Sequence, residues 1–552
     1  MKTYKTWSRV LAAVALLFAS SCKDILDLEP QTALSPQAAY TVDRIELVIA
    51  GMYDAAQSGI YAGGAVRGYP FGAAHIEQGD NRGEDVVNTQ AFFAITYDNT
   101  YDPTTANNDW HFQSLFRLIN RTNVVLDELN KFAPTETLTQ ASIDAYKGEA
   151  TFLRALAYHE LAKHFCRPYS DNPTAPNGGM PYRKTGITDA TAADAAAPEP
   201  RGTVQSLYSN IIADLDYAES VLPATRTGAN LKITRATKGA AIAMKTRVYL
   251  GMGNWDKVIE EGNKLVPAAT ATPSILGAYA LAANPYAPFT APNSKSSTEL
   301  IFSIDNSAED NPSVNGALAS MYSTSTAPTS GRALVAISPI IWNKPWFNAT
   351  DVRKTSVFVD INVEGTTAGG KGGYFSKKYT DVTARSDNAP VIRYPEVLLS
   401  LAEAIQRKVG TPDARAFQLY NAVRARANAA GTDANYDQIS DFATGNALIQ
   451  AIHNERRIEF LCEGLRWFDI HRLAQDATFN TWGGGIPVKV SRNLTNYRPY
   501  YTGLESTTTT LLATAGNRHD AIPYSNYRFI WPIPNSEIIL NPVLAQQQNP
   551  GY

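Results

Sequence analysis

The chain has 552 residues, and 49 Lys plus Arg against 52 Asp plus Glu leave a formal net charge of −3 at pH 7. So even a balance provides no general basic surface, which argues against nucleic acid or an anionic membrane surface as a partner. Three cysteines are too few for a disulfide framework, whereas 28 Tyr, 8 Trp and 20 Phe supply many flat apolar faces for cores or recognition surfaces. The length is sufficient for two or more hydrophobic cores at ~100–200 residues each.

Lys2, Lys5 and Arg9 precede an apolar run over 10–18, followed by Ala19-Ser20-Ser21-Cys22. A charged start, a short apolar stretch and small residues form the layout of a secretory signal that is too short to span a bilayer. Small residues directly before a cysteine resemble a lipoprotein signal, in which Cys22 becomes the lipidated first residue of the mature chain. Ala19 is a departure, standing where such signals prefer Leu. Residues 1–21 are therefore expected to be a signal peptide, 22–270 an N-terminal helical region and 271–552 a C-terminal region, the last two packed as one globular unit. No later apolar run reaches the ~18 residues of a spanning helix, so tethering through lipid is expected, not insertion. Cys166 and Cys462 lie in apolar contexts and are expected to be buried, unpaired thiols.

Helical stripes recur along the chain. Leu115, Leu118, Ile119, Leu126 and Leu129 form one, and Ala150, Leu153, Ala157, Leu161 and Phe165 its partner. Val204, Leu207, Ile211, Leu215 and Ala218 form another, followed by Ala240, Ala243, Met244 and Val248. Gly251 and Gly253 should close that helix and Asn254 cap the next. Pro395 opens a further pair, with Leu398, Leu401 and Ile405 on its first helix and Leu419, Tyr420 and Val423 on its second. Helix, tight turn, helix is the form of tetratricopeptide-like units. The predicted fold is mainly α: such helix pairs form a scaffold, with a loop-rich irregular part and a few short strands, among them 300–304 and 357–363.

Three long excursions interrupt the helices, over 59–102, 270–338 and 481–526, and binding residues concentrate on loops held by a rigid scaffold. A sugar ring presents an apolar C–H face and a rim of hydroxyls, so its site needs aromatic planes and hydrogen-bonding side chains. The first excursion offers Phe92, Tyr97 and Tyr101 as planes, with Asp80, Arg82 and Asn99 as polar partners; Tyr322 in the second is a further plane. The competing expectation is that loops this large bury their own aromatics to stay folded. Trp110, Trp467 and Trp531 are expected to pack.

Two near-motifs carry no chemistry. His159 and His164 are spaced i, i+5 and diverge by ~140° on a helix, so one zinc ion cannot be gripped by both; two histidines on a polar helix face are expected instead. Residues 365–371 have phosphate-loop spacing, but Gly372 replaces the Ser or Thr that would hold Mg²⁺, and Gly373-Tyr374-Phe375 reads as the far side of a hairpin. No nucleophile elbow, metal-spaced cysteine pair or triad is evident, so no cofactor and no catalytic residue is expected.

The run from His453 to Ala474, HNERRIEFLCEGLRWFDIHRLA, breaks the usual helix rule. Ile452, Ile458, Phe460 and Leu461 point in nearly every direction, so protein should surround it, yet it carries Glu455, Arg456, Arg457, Glu459 and Glu463. Such charges must be paired, which predicts Arg/Glu bridges pinning neighbouring helices. Gly464 should stop the helix.

This run resembles the NERRxEFxxEGxRWFDxxR pattern of the SusD/RagB family of surface lipoproteins. Asp351-Val352-Arg353 and the tail from Arg528 through Trp531-Pro532-Ile533-Pro534 to Asn549-Pro550-Gly551-Tyr552 agree with it. The resemblance implies a non-enzymatic binder of glycans or other nutrients, lipid-anchored on the outer membrane and facing the exterior. It further implies a lid role over a TonB-dependent transporter of the SusC type. The family's ligand-contacting aromatics form no fixed motif, so the seven loop residues rest on loop chemistry alone. Rival readings are a non-glycan nutrient or peptide held by the same lid, a peptide-binding adaptor, and a surface glycoside hydrolase.

Overall fold

The helices begin where short polar side chains can accept otherwise orphaned backbone N–H groups, each cap contributing about 1 kcal/mol. The computed structural model describes residues 39–58, 68–268, 274–324, 331–354, 360–361, 371–428 and 436–552. Helix α1 spans Ala73–Asn81, α2 Ala106–Leu129, α3 Gln140–Phe165, α4 Val204–Val221, α5 Lys238–Met252 and α6 Trp255–Leu265. In the C-terminal half, α7 spans Tyr394–Gln406, α8 Ala414–Arg424, α9 Gly445–Glu459 and α10 Arg466–Arg472. Thr139, Thr203, Thr237, Asn254, Asp413 and Thr444 cap α3, α4, α5, α6, α8 and α9 respectively. Gly253 closes α5 in the left-handed region at φ 67°.

The helices pack in a continuous row, α2 on α3, α3 on α4, α4 on α5, α5 on α6, α6 on α7, and α7 on both α8 and α9. The row continues from α6 to α7 although the long second excursion lies between them in sequence. Arg154 of α3 grips Asp214 of α4 through Nε and Nη2 at 2.7 and 2.6 Å, and Arg247 of α5 grips Glu396 of α7 at 2.6 Å through both nitrogens. Tyr249, Leu250, Val258, Ala404 and Phe468 fill the space between α5, α6, α7 and α10.

The chain divides into two units, Met1–Ala50 and Gly51–Tyr552, and the elements above all belong to the second. Its strands are short. A four-stranded antiparallel sheet has the order β1 (Val86–Asn88), β3 (Val335–Ile337), β5 (Tyr374–Phe375), β4 (Asp360–Ile361). Strands β2 (Leu300–Ile304) and β6 (Ala389–Arg393) pair antiparallel, as do β7 (Lys489–Val490) and β8 (Arg518–His519). The β4–β5 hairpin agrees with the reading of Gly373-Tyr374-Phe375; most of 357–363, the loop residues 365–370, the signal peptide and Cys22 lie outside the described residues. Cys166 and Cys462 are free and buried. Among the described residues, no helix is long and apolar enough to cross a membrane.

Helix α9 ends at Glu459, before Gly464, and Cys462 in the following turn also lies in the left-handed region at φ 65°. Gly464 is therefore not the helix stop expected from the sequence, and its role lies in the turn beyond. Its φ is 76°, and a Cβ there would stand 2.9 Å from the Ile76 Cα of α1. On the facing helix, a Cβ on Gly79 would meet the Gly464 carbonyl oxygen at 2.1 Å. The two glycines let α1 touch the turn backbone to backbone.

Candidate functional site

The charges of α9 are fully cross-paired. Glu459 accepts from Arg353 Nη1 at 3.0 Å, Arg393 Nη1 at 2.9 Å and Arg426 Nη2 at 2.6 Å. Arg353 also reaches Glu455 at 2.5 Å and Asp351 at 2.7 Å, and Arg393 reaches Glu299 at 2.5 Å and Glu463 at 2.7 Å. Burial pushes the Glu459 carboxyl up, but the guanidiniums of Arg426, Arg393 and Arg353 overcome it and hold the group below the usual carboxylate range. Asp469 behaves alike: Arg456 and Arg472 outweigh burial and hold it at about 2. The network bolts α9 to α8, β6 and the Asp351-Val352-Arg353 turn. Its oxygens are occupied, so it is scaffold and not a reaction centre.

The described parts of the three excursions are joined to one another. Tyr322 donates to Asp80 Oδ2 at 2.7 Å, β1 pairs with β3, and Tyr97 donates to the Val490 carbonyl at 2.7 Å. Tyr501 donates to the Ile337 carbonyl at 2.5 Å, and Val87, Tyr97, Ile340, Val490, Tyr497 and Leu511 form the apolar centre of the layer.

Six of the seven expected ligand contacts are core residues, which corrects the surface role assigned to them. Asp80, Arg82, Tyr97, Asn99, Tyr101 and Tyr322 are all buried. Tyr101 donates to the Arg528 carbonyl. The Arg82 guanidinium carbon lies 3.4 Å from the centroid of the Trp467 ring, and its Nη2 donates to the Phe529 carbonyl. The physical reason is the competing one: a large loop has no core except its own aromatics, and a tyrosine can enter it once its hydroxyl finds a backbone carbonyl. Trp467 and Trp531 are buried as expected, and Trp110 packs against the Tyr69 and Phe93 cluster.

The histidines of α3 are also interior, not on a polar face. His159 packs against Phe468 with centroids 5.7 Å apart, while His164 stacks on Trp531 at 4.2 Å, so the two do diverge. A different trio, His111, Glu160 and His164, brings its donor atoms within 4.8 Å of one another. The set does not fit a metal. Arg82 Nη1 lies 3.1 Å from His164 Nδ1, and because a guanidinium only donates, Nδ1 must accept. The His164 proton then sits on Nε2 and is given to Glu160 Oε1 at 3.0 Å, while Lys163 holds Oε2 at 2.5 Å. The atoms of Glu160 and His164 are thus engaged, His111 Nε2 stands 3.5 Å from Glu160 Oε1, and two resident cations oppose a third.

Helix α1 holds a less compensated set of polar groups. Burial drives the Asp80 carboxyl up to about 7, against the pull of the Tyr322 hydroxyl and the Gly464 N–H. Glu77, one turn before it, is 1% exposed, has no hydrogen-bond partner on either oxygen, and is pushed well above the carboxylate range by burial.

At the outer edge of the layer, near Glu77, Phe92 is half-buried and Arg332 exposed. The β1–β3 register places them together: Asn88 faces Val335, Thr89 N–H donates to the Leu334 carbonyl at 2.8 Å, and Asn88 Nδ2 folds the loop back onto the Phe92 carbonyl at 2.6 Å. The Arg332 guanidinium carbon lies 5.2 Å from the Phe92 ring centroid, and Nη1 donates to Asn315 Oδ1 at 2.6 Å. An aromatic plane, a guanidinium and an amide are thus gathered at a junction of two excursions. Arg332 and Asn315 were not among the expected contacts, since no spacing in the sequence joins them to Phe92.

Known proteins place this architecture. Residues 362–552 match the model of the SusD family, and 24–250 match one described as starch-binding associating with outer membrane. With both halves so matched, the chain belongs to the SusD/RagB family. Among curated relatives, SusD-like protein P2 of Formosa agariphila is 26% identical over 60% of this chain and 65% of its own length. SusD-like protein P38 of the same organism is 22% identical over 46% of this chain, and the match spans 44% of that relative. A SusD superfamily crystal structure from Bacteroides fragilis superposes with a TM-score of 0.70 at 28% identity, covering 91% of this chain and 99% of its own. A SusD-like carbohydrate binding protein from Bacteroides vulgatus gives 0.68 at 18% identity, covering 92% and 98%, and a laminarin binding SusD-like protein gives 0.63 at 20%, covering 92% and 99%. The last two establish likeness of fold.

Proposed function

We propose that this chain captures glycan at the cell surface without chemically altering it and delivers it to a TonB-dependent outer-membrane transporter of the SusC type. The observation that carries the reading is the set of half-buried Phe92 and Asn315 with exposed Arg332 at the edge of the layer: an apolar plane for a sugar C–H face, with donors beside it for hydroxyls. The names of the relatives, starch-binding, carbohydrate binding and laminarin binding, support the ligand class. The carboxylates of the α9 network are held by Arg and Lys, which supports binding over hydrolysis. The outer-membrane description of the N-terminal match supports attachment there through Cys22.

The test is a panel of polysaccharides and oligosaccharides assayed with the purified full chain for binding and for product. Saturable binding to one glycan class without product, weakened roughly tenfold by Phe92→Ala, is the expected result. Product formation overturns the non-enzymatic reading. A blank panel shifts the ligand to a non-glycan nutrient or peptide. Co-purification of the tagged chain with a SusC-type barrel tests delivery.

A further inference from the structure

Arg332 has no salt-bridge partner among the described residues, and Glu77 acts on it only from beyond ion-pair distance. Among the described residues the only hydrogen bond from its guanidinium goes to the neutral amide of Asn315. The nearby carboxyl, Glu77, is buried without any hydrogen-bonding partner, and burial raises its pKa well above the usual carboxylate range against the pull of Arg332. Asp80, on the same helix, is turned inward to Tyr322 and Gly464. A guanidinium has five N–H donors in a planar fork, and only Nη1 is engaged here. The remaining donors match two oxygens of a carboxylate or a sulfate, while the Phe92 ring beneath matches the ring that bears them.

Resting on the reading of this surface as a glycan site, we propose that it selects an acidic glycan, one whose sugar ring carries a carboxylate or sulfate group, with Arg332 as the residue that recognises the anion. Asn315 fixes one side of the guanidinium, so the fork is oriented before ligand arrives. Phe92 supplies the contact common to neutral and charged sugars. The selectivity therefore resides in Arg332 alone, and the two contributions separate by substitution.

The experiment compares three polymers built on galactose-type rings, each titrated calorimetrically into the full chain: a neutral galactan, polygalacturonate for the carboxylate and a carrageenan for the sulfate. The expected result is that at least one acidic polymer binds roughly tenfold or more tighter than the neutral one, and that added sodium chloride erodes this margin. Arg332→Gln should remove the margin between acidic and neutral polymers, and Phe92→Ala should weaken the binding of both alike. Which acidic polymer leads identifies the anion. Saturable binding of the neutral galactan with no acidic margin, or a margin that survives Arg332→Gln, overturns the anion assignment and leaves glycan capture standing. Binding of none of the three, with only neutral glycans of the wider panel bound, overturns the anion assignment, and a panel blank throughout overturns both. Arg332 is exposed, so folding of the variant is secured by its circular dichroism, and the salt dependence of the unmodified chain tests the assignment without any substitution.

Discussion

Helices α9 and α1 are both polar, both buried and in contact through the turn at Gly464, yet they solve burial in opposite ways. Around α9 each carboxylate is matched by guanidinium groups, so charge is retained inside the protein. Around α1 no salt bridge among the described residues reaches the acids; Asp80 is met by a hydroxyl and an N–H, Glu77 by no hydrogen bond, and burial outweighs the more distant pull of Lys378 on Asp80 and of Arg332 on Glu77, which favours the protonated forms. Pairing makes the first region a rigid bolt. Neutralisation makes the second a region whose protonation is set by pH, lying next to the surface set of Phe92 and Arg332.

The largest effect should come from breaking a bolt. Arg393→Met leaves Glu299, Glu459 and Glu463 short of a shared cation inside the protein, and a cost of about 3–5 kcal/mol in unfolding free energy is expected from denaturant titration. A loss below about 1 kcal/mol would mean that Arg426 and Lys378 carry the network without it.

The pH dependence of the two regions should have opposite sign. Asp80 titrates at about 7 in the folded chain against 3.8 for the free group. The unfolded state loses its proton first, so the stability this group contributes is present below pH about 4 and is lost as pH rises to about 7. Asn mimics the protonated acid, and Asp80→Asn should remove a slope amounting to ~4 kcal/mol over that window. Asp469, held at about 2 against 3.8, acts in reverse, its stability present above pH about 4 and lost as pH falls towards 2. Chemical denaturation of Asp80→Asn and Asp469→Asn at stepped pH separates them. Equal slopes in Asp80→Asn and the unmodified chain would show that Asp80 is ionised in the folded state.

A smaller effect tests the contact between the regions. Gly464→Ala must place a Cβ 2.9 Å from the Ile76 Cα at a φ of 76°, so about 1–3 kcal/mol of destabilisation is expected. Gly51→Ala, where a Cβ would meet nothing within 4 Å, is the comparison, and it should not destabilise.

The helical row was legible in the sequence because each helix writes its own stripe and cap locally: Thr203, Asn254 and Gly253 act where their residue types predict. The ion pairs of α9 followed from having charges among residues that face every direction. The loop layer was not legible at the same level. Its strands are two or three residues long in the four-stranded sheet, too short to show alternation, and Phe92 meets Arg332 only through the pairing of β1 with β3. A loop tyrosine reads alike as a recognition plane and as a core residue, and only the structure shows the Tyr97 hydroxyl spent on the Val490 carbonyl.

The smallest expected effect on stability is the most informative for function. Phe92 is half-buried at the rim of the layer, where it makes a T-shaped contact with Phe93 at 5.1 Å, while Tyr97, in the same loop, is fully enclosed. Truncating Tyr97 should therefore cost several kcal/mol, within the ~3–5 kcal/mol range of large core aromatics, whereas Phe92→Ala should cost no more than about 1 kcal/mol. If both residues were ligand contacts, as their shared loop chemistry suggests, glycan affinity in a still-folded Tyr97→Phe variant would fall. The enclosed hydroxyl predicts instead that Tyr97→Phe loses about 1–2 kcal/mol of stability, from a Val490 carbonyl left unpaired, with affinity unchanged. Phe92→Ala should show the reverse: near-native melting, and glycan binding lowered roughly tenfold. Thermal melts beside titrations of the two variants decide whether the rim of the layer, and not its interior, is the surface that meets the ligand.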